Sequence, residues 1–258
     1  PWGLRIGGGI KAESDEPTGD LAFYELATGN RVQKIRTTEL NVSLKYQPGV
    51  TYINTKQKRV PINLDAPEFG LTHTMGLKGF LGGQYKYNLT QLSVYKRQWL
   101  GSWGSIDTRI KAGAQWNRVP FPLLIMPPVN PTYIENEETF SLMNNMEFLT
   151  DRYAFWSVTW DMNGKLLNRV PLIKRLKWRE YIAFKDNPFL PQNALNTTMF
   201  QFPSGSYVMN SRTPYMELVA GVHNIFKFFG VLYVHRFNYD NHANISRNGV
   251  RFSFMFSF

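Results

Sequence analysis

Residues 250–258 read VRFSFMFSF, and their strict alternation decides the class of fold that the sequence predicts. Successive side chains of a β-strand point to opposite faces, so the phenylalanines of this stretch share one face. A row of phenylalanines on a water-exposed edge strand promotes aggregation, whereas the same row is favourable against lipid. We therefore expect a lipid-facing closing strand over 250–258, with its apolar face formed by Phe252, Phe254, Phe256 and Phe258.

The same period of two recurs earlier in the chain, over 37–46, 106–116 and 153–162. In each stretch, one set of alternate residues is mostly apolar and the other is largely polar. These stretches run about nine to twelve residues, which suits a tilted strand across a bilayer, whereas strands of soluble proteins average about five or six. A soluble β-sandwich is the alternative fold. Further strands are expected at 83–97, 140–149, 176–184, 215–222 and 229–237.

Prolines mark three long loops, at 55–70, 119–138 and 186–211, because proline cannot donate to a strand ladder. Asn163-Gly164 predicts a tight turn between two strands. The fold that we predict is all-β, an antiparallel transmembrane β-barrel. Residues 1–30 are expected to form an N-terminal strand and loop of the barrel or a domain junction, and residues 31–258 its C-terminal part.

The bulk composition fits this class of fold and excludes others. Aromatic residues make up 15% of the chain although the mean hydropathy is −0.31, as expected where alternate residues face lipid and a polar interior. There are no cysteines, which excludes disulfides and thiolate zinc sites. The net charge of +10 is dispersed without a nucleic-acid motif, so we expect contacts with anionic lipid headgroups and no nucleic-acid partner.

Several motifs carry a resemblance to one protein family: Ala114-Gln115-Trp116-Asn117, Asn130-Pro131-Thr132-Tyr133, the run 140–148, Leu167-Asn168-Arg169-Val170-Pro171 and Pro214-Tyr215-Met216-Glu217. The chain resembles the C-terminal barrel of a large Bacteroidota outer-membrane family of unknown function. In that family a carboxypeptidase-regulatory-like β-sandwich precedes the barrel, which is distantly similar to the BamA/TamA assembly-factor superfamily. The resemblance implies about sixteen strands in a complete barrel, of which about ten or eleven are recognisable in this sequence.

One departure from the superfamily limits what the resemblance implies. Members of the superfamily carry an Arg-Gly-aromatic motif in a loop folded into the lumen, and this chain contains no Arg-Gly dipeptide. The proline-rich loop 119–138 lies near where that motif would fall. We therefore do not carry an assembly-factor mechanism over to this chain.

The sequence offers no recognised catalytic or cofactor site. Its histidines lack the spacing of a metal-ligand pair, and no Gly-x-Ser-x-Gly elbow or phosphate loop occurs. We therefore expect no enzyme activity, no cofactor and no metal. The alternative, an outer-membrane hydrolase, requires a nucleophile with a positioned histidine, for which His73 and His235 are the candidates.

Charged residues on polar strand faces are expected to point into the barrel lumen: Glu39, Asp107, Arg109, Lys111, Glu147, Arg179, Glu180, Glu217, Arg236 and Arg251. Both signs of charge are mixed, which favours a salt-bridged lumen over a selectivity lining. Tryptophans are enriched at membrane interfaces, and the candidates for such girdles are Trp99, Trp103, Trp116, Trp156, Trp160 and Trp178.

These expectations favour a non-enzymatic, integral protein of the bacterial outer membrane that acts as a subunit of a larger envelope complex. Such a complex would serve outer-membrane protein biogenesis or surface export. A transport channel with a polar lumen is the first alternative, and an outer-membrane enzyme is the second. The expected partners are outer-membrane lipid and lipopolysaccharide, together with other envelope proteins.

Overall fold

The computed structural model describes residues 3–19, 22, 24–188, 203–210, 212–242 and 244–254, and this part of the chain is almost entirely β-structure. Ten strands form one antiparallel sheet. In sheet order they are β1 (Leu4–Asp15), β2 (Ile35–Tyr46), β5 (Glu68–Gly76), β6 (Tyr87–Trp99), β7 (Ser105–Gln115), β8 (Arg152–Asp161), β9 (Arg179–Asn187), β10 (Tyr215–Ile225), β11 (Phe229–Arg236) and β12 (Asn248–Phe254). The remaining two strands, β3 (Tyr52–Asn54) and β4 (Arg59–Pro61), pair as a separate hairpin.

Helical structure is confined to short turns in the described residues. They are Gly101–Trp103, Phe121–Leu123, Leu167–Arg169 and α1 (Pro171–Lys174). A proline near the start of two of these turns fixes the backbone angle that a first helical turn needs. None of the described helices is long and apolar enough to cross a membrane.

Most of the predicted strands are confirmed. The three clearest alternations became β2, β7 and β8, and the strands expected at 215–222 and 229–237 became β10 and β11. The strands expected at 83–97 and 176–184 begin later than predicted, as β6 and β9. The loop expected at 55–70 contains β4 and the first residues of β5. Asn163-Gly164 was expected to be a tight turn, but it opens a connection that continues to residue 178.

The prediction of a strand at 140–149 is wrong. The stretch forms an irregular loop, and its apolar side chains are nearly all buried: Phe140, Leu142, Met143, Phe148 and Leu149. These residues do not alternate strictly, so a strand would direct them to both faces, whereas the loop packs them together. The ring of Phe140 meets those of Phe155 and Tyr215 edge-on, with centroid distances of 5.1 and 4.9 Å. The stretch therefore covers the sheet instead of extending it.

The two faces of the ten-stranded sheet have opposite character. One face, which we call the apolar face, exposes large hydrophobic side chains from most of its strands: Leu4, Ile6, Ile10, Val42, Leu44, Tyr46, Phe69, Leu71, Leu92, Ile110, Ile182, Tyr233, Val250 and Phe254. Each of these is at least 37% exposed. Apolar surface that spreads over a whole sheet is unusual for a monomeric soluble protein.

The connections divide the sheet into two ends. The connections 47–67, 100–104, 162–178 and 226–228 lie at one end, which we call the hairpin end because it holds β3 and β4. The described parts of the connections 16–34, 77–86, 116–151, 188–214 and 237–247 start or end at the other, which we call the segment end. Aromatic pairs occupy the apolar face near the hairpin end, with ring centroids 6.3 Å apart in Tyr46–Phe69 and 5.4 Å apart in Phe229–Phe254.

The strands are staggered along the sheet. One row of paired residues starts at Leu4, the first residue of β1, and passes through Phe69 and Ile110. It ends at Met216, the second residue of β10 and close to the segment end. Such a stagger accompanies the strand tilt of barrels. The sheet is not closed, however, because β1 and β12 pair with no common partner and not with each other among the described residues.

Candidate functional site

The connection between β7 and β8, residues 116–151, lies across the second face of the sheet, which we call the polar face. We name this connection the crossing segment. Near its start, Val119, Phe121 and Leu124 pack with Ile35 of β2. Farther along, Tyr133 and the two residues after it run parallel to β12. The Phe252 amide donates to the Tyr133 carbonyl and the Glu135 amide donates to the Phe252 carbonyl, both at 2.7 Å.

A buried lysine fixes the middle of the crossing segment. The ammonium of Lys185, on β9, is fully buried and forms an ion pair of 2.5 Å with Glu135. It also donates to the carbonyl oxygens of Thr139 at 2.7 Å and Asn136 at 3.0 Å. A buried charge is tolerated only when it is paired and hydrogen-bonded, and this lysine satisfies both conditions. The crossing segment therefore carries the compensating groups for a strand residue.

A second buried ion pair holds the end of the crossing segment. Glu147 receives two hydrogen bonds from the guanidinium of Arg236, on β11, at 2.5 and 3.0 Å, and both side chains are at most 2% exposed. His242 Nδ1 lies 2.8 Å from the same carboxylate. Two parallel hydrogen bonds give an arginine–carboxylate pair both strength and a defined orientation.

A buried carboxylate of the sheet binds the backbone of the crossing segment directly. Glu217, on β10, accepts hydrogen bonds from the backbone amides of Ser141 and Leu142, both at 2.8 Å, and from the Tyr215 hydroxyl at 2.7 Å. Arg251, on β12, donates to the Ser141 carbonyl. The irregular backbone at 140–142 thus finds in β10 and β12 the partners that a ladder would otherwise supply.

Charged side chains of β6 and β7 form a network with two more carboxylates of the crossing segment, those of Glu137 and Glu138. Arg97 forms two hydrogen bonds of 2.6 Å with Asp107. Arg109 lies 2.7 Å from Glu137. Both signs of charge alternate through this network, as in a salt-bridged interior. It borders a cavity of about 310 Å³ at the hairpin end, lined by Arg97, Trp99, Gly101, Gly104, Ser105, Asp107, Glu137, Thr159, Asp161, Asn163, Arg179 and Tyr181.

Neighbouring carboxyls of the crossing segment have opposite pKa shifts. Burial raises the pKa of Glu137, and the nearby Arg109 offsets only part of that effect. The hydrogen bond from Lys111, at 2.7 Å, lowers the pKa of Glu138, whose side chain is half exposed. One of these carboxyls therefore opposes folding when it ionises, and the other supports it.

These shifts predict opposite dependences of stability on pH. The contribution of Glu137 falls as pH rises through its raised pKa, because the folded state retains that proton longer. The contribution of Glu138 is present above the ordinary carboxyl pKa and is lost as pH falls through its lowered value. Urea unfolding of detergent-folded protein across acidic pH should therefore show a flatter decline with rising pH for Glu137→Gln. Glu138→Gln should instead remove part of the loss at low pH, and identical profiles for the two variants would contradict this assignment.

The structure brings most of the residues predicted to face the lumen to the polar face. Glu39, on β2, accepts a hydrogen bond from the Tyr87 hydroxyl, and Arg179 lines the cavity. Glu147 reaches this face from the crossing segment, because the strand predicted for it does not form. Glu180 departs from the set, since it accepts hydrogen bonds from the backbone amides of Leu166 and Leu167 in the connection after β8.

The predicted closing strand is only partly described. Phe252 and Phe254 lie on the apolar face of β12, while Phe256 and Phe258 lie outside the described residues. The Phe229 ring lies 5.5 Å from Phe252 and 5.4 Å from Phe254, measured between centroids. The predicted row of phenylalanines therefore continues onto the neighbouring strand β11.

Each of the two histidines considered as catalytic candidates lies beside a polar side chain that is not a carboxylate. His73 Nδ1 lies 2.9 Å from the Thr90 hydroxyl, and His235 Nδ1 lies 2.7 Å from the Asn248 side chain. Within the described ranges, no three His, Cys, Asp or Glu side chains are grouped to hold a metal ion. The sequence did not single out Lys185 or Glu135. The alternation of β9, with Lys185 on the face of Tyr181 and Ala183, was the available signal for the lysine.

A family model describes the part of the chain that builds this site. The C-terminal domain of a family of unknown function (DUF5686) matches residues 15–186, from the end of β1 almost to the end of β9. The chain belongs to this family. The DUF5686 match contains the whole crossing segment and the buried Lys185, whereas Glu217 and Arg236 lie beyond it. A search among curated proteins found no match.

Proposed function

We propose that the chain is an integral, non-enzymatic β-barrel component of the bacterial outer membrane and a subunit of a larger envelope complex. The proposal includes a Bacteroidota source, a preceding carboxypeptidase-regulatory-like domain and a distant relationship to the BamA/TamA superfamily. The complex would act in outer-membrane protein biogenesis or surface export. Closure would use about sixteen strands, within the even-numbered range of such barrels.

The exposed apolar face of the sheet is the observation that carries this proposal. Hydrophobic side chains cover it from β1 to β12, and aromatic pairs border it near the hairpin end. Aliphatic surface bordered by aromatic rings suits a strand that crosses the hydrocarbon core and reaches the interface. The opposite face carries buried ion pairs, as suits an interior shielded from lipid.

The crossing segment supports a scaffolding role over a transport channel. It is tied to β9, β10, β11 and β12 through buried side chains and backbone hydrogen bonds. An open pore would require this segment to leave the polar face and expose Glu217 and Lys185 without their partners. We therefore propose that the interior is filled by the chain itself.

Planar bilayer recordings test the filled interior. The folded protein should insert without large, steady conductance steps, because the crossing segment occupies the polar face. Variants that release the segment, such as Lys185→Met, should show more frequent openings than the parent protein. Large steady conductance of the unmodified protein would favour the transport channel instead.

Native purification from mild detergent tests the proposed complex. The protein should co-elute with other envelope proteins in a stable stoichiometry, identified by mass spectrometry. Elution as a monomer without partners, from membranes that contain the full-length protein, would overturn the role as a subunit. Hydrolytic activity that is lost on His73→Ala or His235→Ala would favour the enzyme instead.

A further inference from the structure

The two ends of the sheet differ strongly in charge. Connections at the hairpin end contain nine basic residues and one acidic residue, whereas the described residues of the segment-end connections, leaving out the crossing segment that lies across the polar face, contain six basic and three acidic residues. The basic residues of the hairpin end are Lys56, Lys58, Arg59, Lys165, Arg169, Lys174, Arg175, Lys177 and Lys227. The net charge of the chain is thus concentrated beyond one end of the strands.

The connection 162–178 contributes most of this charge. It contains five basic residues and no acidic residue. It also exposes aliphatic side chains, among which Leu172 is 80% and Leu176 50% exposed. Exposed leucines beside lysines and arginines are typical of segments that lie in a membrane interface, where the apolar groups enter the lipid and the cations meet headgroups.

A pocket at this end combines cations with amides. Its volume is about 390 Å³, and its lining consists of Asn163, Asn168, Lys174, Lys177, Arg179 and Asn224. No carboxylate belongs to this lining, in contrast to the mixed lining of the cavity beside Asp107. Ammonium, guanidinium and amide groups all donate hydrogen bonds to phosphate oxygens. The pocket therefore suits an anion with several acceptor oxygens.

The neighbouring turn brings a further apolar group to the same surface. The Asn224 amide donates to the Lys177 carbonyl at 2.7 Å, which joins the turn before β11 to the connection 162–178. In that turn Phe226 is 80% exposed. Lys165 lies 5.2 Å from the centroid of the Trp103 ring, which continues the surface towards the strand ends. Cationic and apolar side chains of the two joined connections thus lie at the same edge of the molecule.

We propose that this edge docks on anionic phospholipids, with the pocket of Lys174, Lys177 and Arg179 holding a headgroup phosphate. The inference rests on the proposed membrane setting. It adds the class of lipid that the protein binds and the site at which the lipid binds. Leu172 and Phe226 enter the acyl boundary, while the basic residues neutralise the phosphates. The hairpin end therefore faces a leaflet that contains anionic phospholipid.

Lipid retention measured by native mass spectrometry tests the site. The full protein is released from micelles that contain equal amounts of chain-matched phosphatidylglycerol and phosphatidylcholine, and the bound lipids are counted. The parent protein should retain phosphatidylglycerol preferentially. Lys174→Gln/Lys177→Gln should reduce that preference at least about fivefold, since each basic residue near an anionic surface contributes about that factor. The control, Lys78→Gln/Lys86→Gln, removes the same charge from exposed positions at the segment end and should leave the preference unchanged.

Several results would overturn the docking site. Equal retention of both phospholipids by the parent protein is one, and an equal loss in both double variants is another. Stronger retention of lipid A than of phosphatidylglycerol would assign the edge to lipopolysaccharide and reject this proposal. Flotation of the same protein with vesicles distinguishes a failure of the proposed membrane setting from a failure of the docking site. A protein that does not float contradicts the membrane setting, whereas one that floats without a lipid preference contradicts only the docking site.

Discussion

Arg236→Met should destabilise the folded protein by about 3–5 kcal/mol, because it leaves Glu147 as a buried charge without its principal cation. His242 lies 2.8 Å from this carboxylate but cannot replace both hydrogen bonds of the guanidinium. Urea unfolding of the detergent-folded protein, followed by tryptophan fluorescence, measures the change in the free energy of unfolding. The end of the crossing segment should also become more susceptible to protease.

Two variants make this result specific to the buried pair. Arg247→Met removes an arginine of the same end that forms an exposed ion pair of 3.3 Å with Asp240, and it should cost at most about 1 kcal/mol. Arg236→Met/Glu147→Gln removes both charges and should recover part of the loss. Equal destabilisation by the two arginine variants would show that Glu147 does not depend on Arg236.

Lys185→Met should have a similarly large effect, about 3–5 kcal/mol, because Glu135 would remain buried without its cation. The carbonyl groups of Asn136 and Thr139 would lose their donor in addition. We expect the middle of the crossing segment to detach locally, so that limited proteolysis cuts within 130–142 before the strands unfold. Unfolding in urea should begin at a lower concentration than in the parent protein.

Lys111→Met is the matched control for the buried lysine. Lys111 forms an ion pair of 2.7 Å with Glu138, but that carboxylate is 54% exposed, so the loss should stay within about 1 kcal/mol. Protease cleavage in the control should resemble that of the parent protein. If both lysine variants were cleaved equally, the burial of Lys185 would not be what holds the crossing segment.

The strands could be predicted from the sequence because one face of the sheet is largely apolar. Where Leu40, Val42 and Leu44 alternate with polar residues, only an extended backbone separates the two sets, and β2 forms there. The same logic located β7 and β8. It was less accurate for β6, whose outward residues include Asn88 and Thr90 as well as Leu92, so the alternation has no sharp start.

The crossing segment could not be predicted, because its structure depends on contacts between residues that are distant in the chain. The apolar residues of 140–149 indicate burial but not a direction, and Glu217, which holds their backbone, lies 76 positions from Ser141. The segment that pairs with the outer edge of β12 was also beyond the sequence pattern. Residues 133–135 pair with β12, and the local sequence pattern does not indicate that pairing.

Lipid exposure along β2 tests the central claim most directly. The chain has no cysteine, so single cysteines at Asn41, Val42, Ser43 and Leu44 can each carry a nitroxide in vesicle-reconstituted protein. The account predicts high oxygen and low nickel-complex accessibility at Val42 and Leu44, and low oxygen accessibility at Asn41 and Ser43. High accessibility to the water-soluble nickel complex at Val42 and Leu44 would contradict it, because the apolar face would then lie in water.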